Sequence, residues 1–186
     1  QRRSLSMETY IRKYDNLLSP ELCDKLIDRF ENNPDQYEKQ KQGEMSFTQI
    51  HLSKHKEWTG DSNLISSTLG KHVSKYREDC NIIGNMWPDR FALEPLRMKR
   101  YLPDGTDQFG DHVDVNSHES ARRFLVFFLY LDDNEKGNTT FPQHDISSGC
   151  KKGSCLIFPP MWPWLHAGEK PIDKPKYILG SYLLYV

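Results

Sequence analysis

Residues 124–131 read Phe-Leu-Val-Phe-Phe-Leu-Tyr-Leu, a run with almost no polar side chain. Its length suits a strand better than a helix. A strand apolar on both faces must be covered on both sides, so it belongs at the centre of a sheet. Val126, Phe128 and Tyr130 share one face, and alternation adds Phe124 to them. Further strands are expected at 93–101, ended by the turn residues Pro103-Asp104-Gly105, at 154–158, and at 177–186. Many short strands with turn punctuation, preceded by helices, point to an antiparallel sandwich or barrel backed by helices.

The first half of the chain reads differently. Residues 8–18 are expected to form a strand. Ser19-Pro20-Glu21 then opens a helix, with Ser19 as N-cap and Pro20 at the first helical position. Leu22, Leu26, Ile27 and Phe30 form its apolar stripe, and Asn32-Asn33-Pro34 stops it. Residues 35–43 are polar and read as a loop, and 45–52 as a strand. A second helix over 61–80 carries Leu64, Ile65, Thr68, Leu69, Val73 and Tyr76 at helical spacing. No linker or repeat interrupts the 186 residues. A single domain, 1–186, is therefore expected, with helical support mostly in 1–90 and a β core over about 92–186.

Charge excludes some functions. The net charge is -1 and the pI about 6.7, so bulk electrostatics give no case for nucleic acid or an anionic membrane surface. No apolar run has the length of a membrane span. No secretory pattern is visible, and a cytoplasmic protein is expected, although the chain begins at Gln1 and an upstream targeting segment stays open. Cys150 and Cys155 could face each other across a hairpin, but reduced thiols are the expectation for all four cysteines. Nothing in the sequence bears on oligomeric state.

The chemistry gathers in residues 109–177. His112 and Asp114 are two apart, so an extended backbone would send both side chains from one face. His166 would complete a set of two imidazoles and one carboxylate. That set leaves three adjacent coordination positions open and suits non-heme Fe(II) and oxygen chemistry. His118 and His144 are competing ligands, but both lie in polar, turn-like segments without such a carboxylate partner. Lys176 would alternate with Ile178, Gly180 and Tyr182 on one strand face, and Lys174 is its nearest rival. Arg97, Lys99 and Tyr101 would share a face. The two cations then either reach a wet mouth or an anion, or sit solvated at a sheet edge.

Arg100-Tyr101, Gly105, Phe109, His112-Val113-Asp114, Tyr130-Leu131-Asp132, Gly137-Asn138-Thr139-Thr140-Phe141, residues 153–158, His166-Ala167-Gly168 and Lys176-Tyr177 keep order and spacing across the C-terminal half. In these pieces the chain resembles the 2-oxoglutarate- and Fe(II)-dependent oxygenases, and within them the prolyl 4-hydroxylase-like branch. The resemblance implies a mainly β fold with supporting α-helices around a double-stranded β-helix, or jelly roll. It implies Fe(II) on His112, Asp114 and His166, 2-oxoglutarate as cosubstrate, O2 as oxidant and ascorbate as reductant. Lys176 matches the family's basic position for the distal carboxylate of 2-oxoglutarate. Tyr130 matches a hydroxyl that helps hold it, Thr140 or Thr139 could add another, and Tyr101 matches a pocket tyrosine near the metal. Arg123 matches an arginine at the entrance.

For the substrate, the resemblance implies a prolyl residue in a peptide or protein. Trp162, Trp164, Tyr101 and Tyr182 could offer it aromatic surface, although Trp162-Pro163-Trp164 reads at least as well as core or lid packing. Alternatives are the same chemistry on a free amino acid or other small molecule, and a non-catalytic β-barrel binding module. The presence of all three ligands and the basic residue disfavours the binding module.

Overall fold

A computed structural model describes residues 10–186. The N-terminal part supplies β1 (Arg12–Tyr14), α1 (Pro20–Glu31), the hairpin β2 (Glu38–Gln42) and β3 (Met45–His51), and α2 (Thr59–Asp79). Next come β4 (Phe91–Leu93), β5 (Arg97–Tyr101), β6 (Phe109–His112) and β7 (Arg123–Tyr130). The chain ends with β8 (Thr139–Phe141), β9 (Ile146–Ser147), β10 (Cys155–Phe158), β11 (His166–Gly168) and β12 (Lys176–Tyr185).

The strands form two antiparallel sheets. The major one runs β1-β10-β7-β12-β5-β3-β2, with β4 also on β12, and the minor one runs β6-β11-β8-β9. This is a jelly-roll core, mainly β, with two supporting helices.

Alternation along the central strands divides the interior in two. Leu125, Phe127 and Leu129 of β7 and Leu179 and Leu183 of β12 pack outward against Leu26 and Phe30 of α1 and Ile65 and Leu69 of α2. Val126 and Tyr130, with Ile178 and Tyr182, point the other way, between the sheets, where Phe141, Phe158 and Trp164 meet them. Burying both faces of β7 explains its apolar composition. The first helix begins as its residues dictate: Ser19 has extended φ and ψ, and its hydroxyl accepts from the Leu22 N–H at 3.2 Å.

Several expectations need correction. Residues 38–42 are a strand, because an edge strand needs no apolar residues to pair with β3. Gly43, at φ +56°, makes the tight hairpin turn. The expected strand over 93–101 is split, with β4 and β5 along the same edge of β12 and Pro95, which has no N–H, between them. Phe124 leaves the face of Val126, because the β7–β12 register shifts between Leu183 and Leu184. It packs instead with Trp87 and Tyr185, ring centroids 5.1 and 4.6 Å away.

The first strand is shorter than 8–18. It covers Arg12–Tyr14 and gives way to a turn with Asn16 at φ +57°, while positions 8 and 9 lie outside the described residues. Cys150 and Cys155 are free thiols in different parts of the interior, the first between the sheets and the second on the helix side. Among the described residues no helix is long and apolar enough to cross a membrane.

The turn before β10 depends on Gly153. Its φ is +78°, and a Cβ there would come within 2.4 Å of the Leu18 carbonyl oxygen. That carbonyl cannot retreat freely, since the Leu17 and Leu18 N–H groups donate to the Gly153 carbonyl at 2.8 and 3.1 Å. Gly153→Ala should therefore destabilise the fold by about 2 kcal/mol or more. Urea unfolding monitored by tryptophan fluorescence measures this, and a shift near zero would mean that the turn relaxes.

Candidate metal centre and its cleft

Pairing of β6 with β11 sets His112 directly opposite His166. Asp114 is not on the same strand as His112: β6 ends at His112, and Asp114 sits in the following bend, its N–H donating to the Pro160 carbonyl at 3.0 Å. The three ligand atoms nevertheless converge to within 4.8 Å of one another. His112 Nε2 lies 3.6 Å from Asp114 Oδ1, and His166 Nε2 lies 3.3 Å from Asp114 Oδ2.

The imidazoles are oriented from behind. His112 Nδ1 is 2.8 Å from the Gly110 carbonyl and His166 Nδ1 is 3.0 Å from the Trp164 carbonyl. A carbonyl only accepts, so each Nδ1 carries the proton and each Nε2 presents its lone pair to the site. Both Nε2 atoms and Asp114 Oδ2 are buried without a hydrogen-bond partner. Each such orphan costs about 1–3 kcal/mol, and one divalent cation would compensate all three. Two imidazoles and one carboxylate fit Fe(II), with Mn(II), Co(II) or Zn(II) as inert substitutes.

Burial alone would raise the Asp114 pKa, but the adjoining imidazoles of His112 and His166, which favour the carboxylate whenever they are protonated, outweigh it and hold the carboxyl well below its usual range. The Tyr182 hydroxyl donates to Asp114 Oδ1 at 3.0 Å, which leaves Oδ2 for the site. Phe158, Phe141 and Phe128 surround the His166 ring at centroid distances of 4.7, 5.8 and 6.1 Å. Neither rival histidine joins the set, and His144 Nε2 is engaged with the Pro163 carbonyl at 2.7 Å.

A narrow inner pocket adjoins these ligands and is lined also by Tyr101, Thr139 and Lys176. Lys176 is 1% exposed, and its Nζ has no hydrogen-bond partner. Burial pushes its ammonium pKa down to about 8. The stem fits because residue 137 is glycine: a Cβ there would stand 2.9 Å from Lys176 Cδ. Lys174, the rival, is at the surface and pairs with Asp132 at 2.8 Å.

Tyr130 does not line this pocket directly. Its hydroxyl lies behind, 2.6 Å from Thr139 Oγ1 and 2.8 Å from Ser148 Oγ. Thr139, not Thr140, faces inward, since adjacent β8 residues point to opposite faces. Thr140 borders a shallow surface hollow with Pro142 and Asp145.

The pocket borders a cleft of about 760 Å³, shared through Lys99, Phe109, His112 and Asp114. The β2–β3 hairpin forms one wall, where Glu38, Gln40 and Gln49 line the cleft. Nothing in the polar sequence of β2 announced this role. Arg123 reaches the cleft but is held by Glu94 at 3.0 and 3.2 Å, with its guanidinium 4.1 Å from the centre of the Tyr182 ring. Trp164 is withdrawn into the core against Tyr10, at a centroid distance of 6.1 Å, so it offers the cleft no platform. Trp162 is 75% exposed but does not line the cleft.

No family model and no curated protein matches this sequence. Solved structures do. A viral collagen prolyl hydroxylase from Paramecium bursaria Chlorella virus-1, in complex with 2-oxoglutarate, is 22% identical with a TM-score of 0.66, over 95% of this chain and 96% of that one. A prolyl hydroxylase from Trichoplax adhaerens, in complex with a hypoxia inducible factor peptide fragment, gives 12% and 0.73 over 95% and 84%. A non-heme α-ketoglutarate-dependent epimerase from nogalamycin biosynthesis gives 13% and 0.61 over 94% and 77%. The fold is therefore that of the 2-oxoglutarate- and Fe(II)-dependent oxygenases, in its prolyl 4-hydroxylase-like form.

Tyr182→Phe keeps the ring under Arg123 and removes only the hydrogen bond to Asp114. Loss of a hydrogen bond that orients a ligand should weaken Mn(II) binding by about tenfold or more. Electron paramagnetic resonance titration of free Mn(II) tests this, and unchanged affinity would show that Asp114 needs no support from Tyr182.

Proposed function

We propose that this chain is a 2-oxoglutarate- and Fe(II)-dependent oxygenase that hydroxylates a prolyl residue within a peptide or protein. One observation carries the reading: three unpartnered ligand atoms and the unpartnered, buried Nζ of Lys176 line the same inner pocket. A metal alone would account for the first three. An ammonium without a partner in that pocket calls for a ligand that also carries a negative group, as 2-oxoglutarate does.

His112, Asp114 and His166 would hold the iron, and Lys176 would take the distal carboxylate of 2-oxoglutarate. The inward Thr139 hydroxyl would share that carboxylate, with Tyr130 fixing the threonine from behind. Tyr101 would close the pocket wall beside Lys176, whose Nζ lies 5.3 Å from its ring centre. Bound together, iron, 2-oxoglutarate and O2 would supply oxidative decarboxylation to succinate and CO2 coupled to insertion of one oxygen atom into a C–H bond, and ascorbate would serve only to return oxidised iron to Fe(II). The phenylalanine rings around His166 would shield that ligand from water on the core side.

The peptide substrate is supported by the open cleft of about 760 Å³ outside the inner pocket, which has room for a segment of extended chain. It is supported also by the peptide bound to the Trichoplax adhaerens relative. Aromatic surface would come from Phe47, Phe109 and Tyr182, all lining the cleft. Fold alone does not fix the substrate, since the epimerase shares this architecture.

Asp114→Ala should abolish metal-dependent 2-oxoglutarate turnover. Lys176→Ala should raise the KM for 2-oxoglutarate by about tenfold or more while Mn(II) binding survives, because a charge-assisted hydrogen bond is worth about 1.5–3 kcal/mol. Unchanged cosubstrate dependence in Lys176→Ala would refute that role. For the substrate, free L-proline, a proline-rich peptide and its alanine-substituted counterpart are offered with iron and 2-oxoglutarate. Mass spectrometry should find one added oxygen in the proline-rich peptide alone, and turnover of free proline alone would move the protein to the small-molecule class.

A further inference from the structure

We propose that Arg97 and Lys99 form a carboxylate-binding subsite on the cleft floor, so that the substrate carries a carboxylate close to the carbon that is oxidised. The inference rests on the oxygenase reading and adds a chemical requirement to its substrate.

β5 lies between β12 and β3, so it is not an edge strand, and its cations are not simply solvated at a sheet margin. Alternation sends Arg97, Lys99 and Tyr101 to one side. Tyr101 lines the inner pocket, Lys99 lines both pocket and cleft, and Arg97 lines the cleft. The two cations thus stand in a row leading outward from the metal ligands.

Lys99 has no anionic partner among the described residues, and Arg97 has only one, which it shares with Arg123. Among the described residues Lys99 forms no ion pair or hydrogen bond. Its Nζ lies over the rings of Phe47 and Phe109, 4.6 and 5.7 Å from their centres. Burial pushes its ammonium down to about 8 even though Asp114 opposes the shift. Arg97 forms a loose ion pair with Glu94 at 3.7 Å, without a hydrogen bond between them, and its Nε is buried without a partner. Glu94 is already engaged by Arg123, and Asp114 belongs to the metal set.

The other acids of the cleft do not answer this charge. Glu38 pairs with Lys54 and lies 3.4 Å from His51, while Glu44 and Asp111 sit on the exposed rim. His51, opposite Arg97 across the sheet, is held below its ordinary pKa by burial and then by the charge of Arg97. The floor is therefore a partly desolvated, electropositive strip. A desolvated ammonium without an anionic partner favours an incoming anion, and a planar guanidinium with a free Nε beside it suits one carboxylate. That carboxylate can come from an aspartate or glutamate side chain, from a peptide C-terminus, or from a free amino acid.

The test measures peptide binding by calorimetry on the Mn(II)- and 2-oxoglutarate-loaded protein, and KM with iron. The probes are a short blocked proline peptide with aspartate beside the proline, its asparagine counterpart, the asparagine peptide with a free C-terminus, and free L-proline. At least one carboxylate-bearing probe should bind about tenfold or more tighter than the blocked asparagine peptide, and which one does so identifies the source. Lys99→Met should remove that preference, Lys99→Arg should restore part of it, and Arg97→Gln should reduce it. The KM for 2-oxoglutarate should hold in each variant.

Equal affinity for all probes in the wild type overturns the subsite. So does a Lys99→Met protein that raises the 2-oxoglutarate KM and keeps the preference, because Lys99 would then serve the cosubstrate. Charge-selective binding without succinate formation would sink the oxygenase reading and keep the subsite. Succinate formation without charge selectivity would do the reverse.

Discussion

The pairing of β6 with β11 is the constraint on which the site depends. It places His112 across from His166, and each imidazole is turned by a carbonyl two residues earlier in its own chain. Those carbonyls decide which ring nitrogen is left to act. With Asp114 brought in by the Pro160 contact, three polar atoms are held together and denied protein partners. An arrangement that costs free energy in the protein alone persists where a ligand repays it.

The long strand β12 is the second organiser. It pairs with β7, β5 and β4, and its inner face carries Lys176, Ile178 and Tyr182. One strand therefore places the cation for the proposed cosubstrate, part of the apolar wall, and the hydroxyl that holds Asp114. Its outer face, Leu179 and Leu183, is fixed by the helices. The helices thus contribute no residue to the inner pocket, yet they secure the strand that does.

Buried charge is concentrated where ligands are expected. Lys176 is buried and Lys99 half-buried, and neither forms an ion pair among the described residues. In the scaffold the buried Asp61 is paired, accepting from Lys25 and Arg29 at 2.7 Å each. The unpaired ammonium of Lys176 in the inner pocket contrasts with that paired carboxylate.

Much of this was legible in the sequence. The apolar run around Val126 required a covered central strand, Ser19 and Pro20 marked a helix start, and His112, Asp114, His166 and Lys176 stood at spacings that a β fold could bring together. These readings follow from local chemistry, because alternation and capping act over a few residues. Other features depended on pairing between distant segments. Strand register put Thr139 inward and Thr140 outward, and a shift opposite Leu183 turned Phe124 to the helix side. Tertiary packing withdrew Trp164, made a wall from the polar β2, and left Lys99 without a partner. A one-residue change in register reverses every side chain on a strand, and whether a buried charge finds a partner depends on residues far away in the chain.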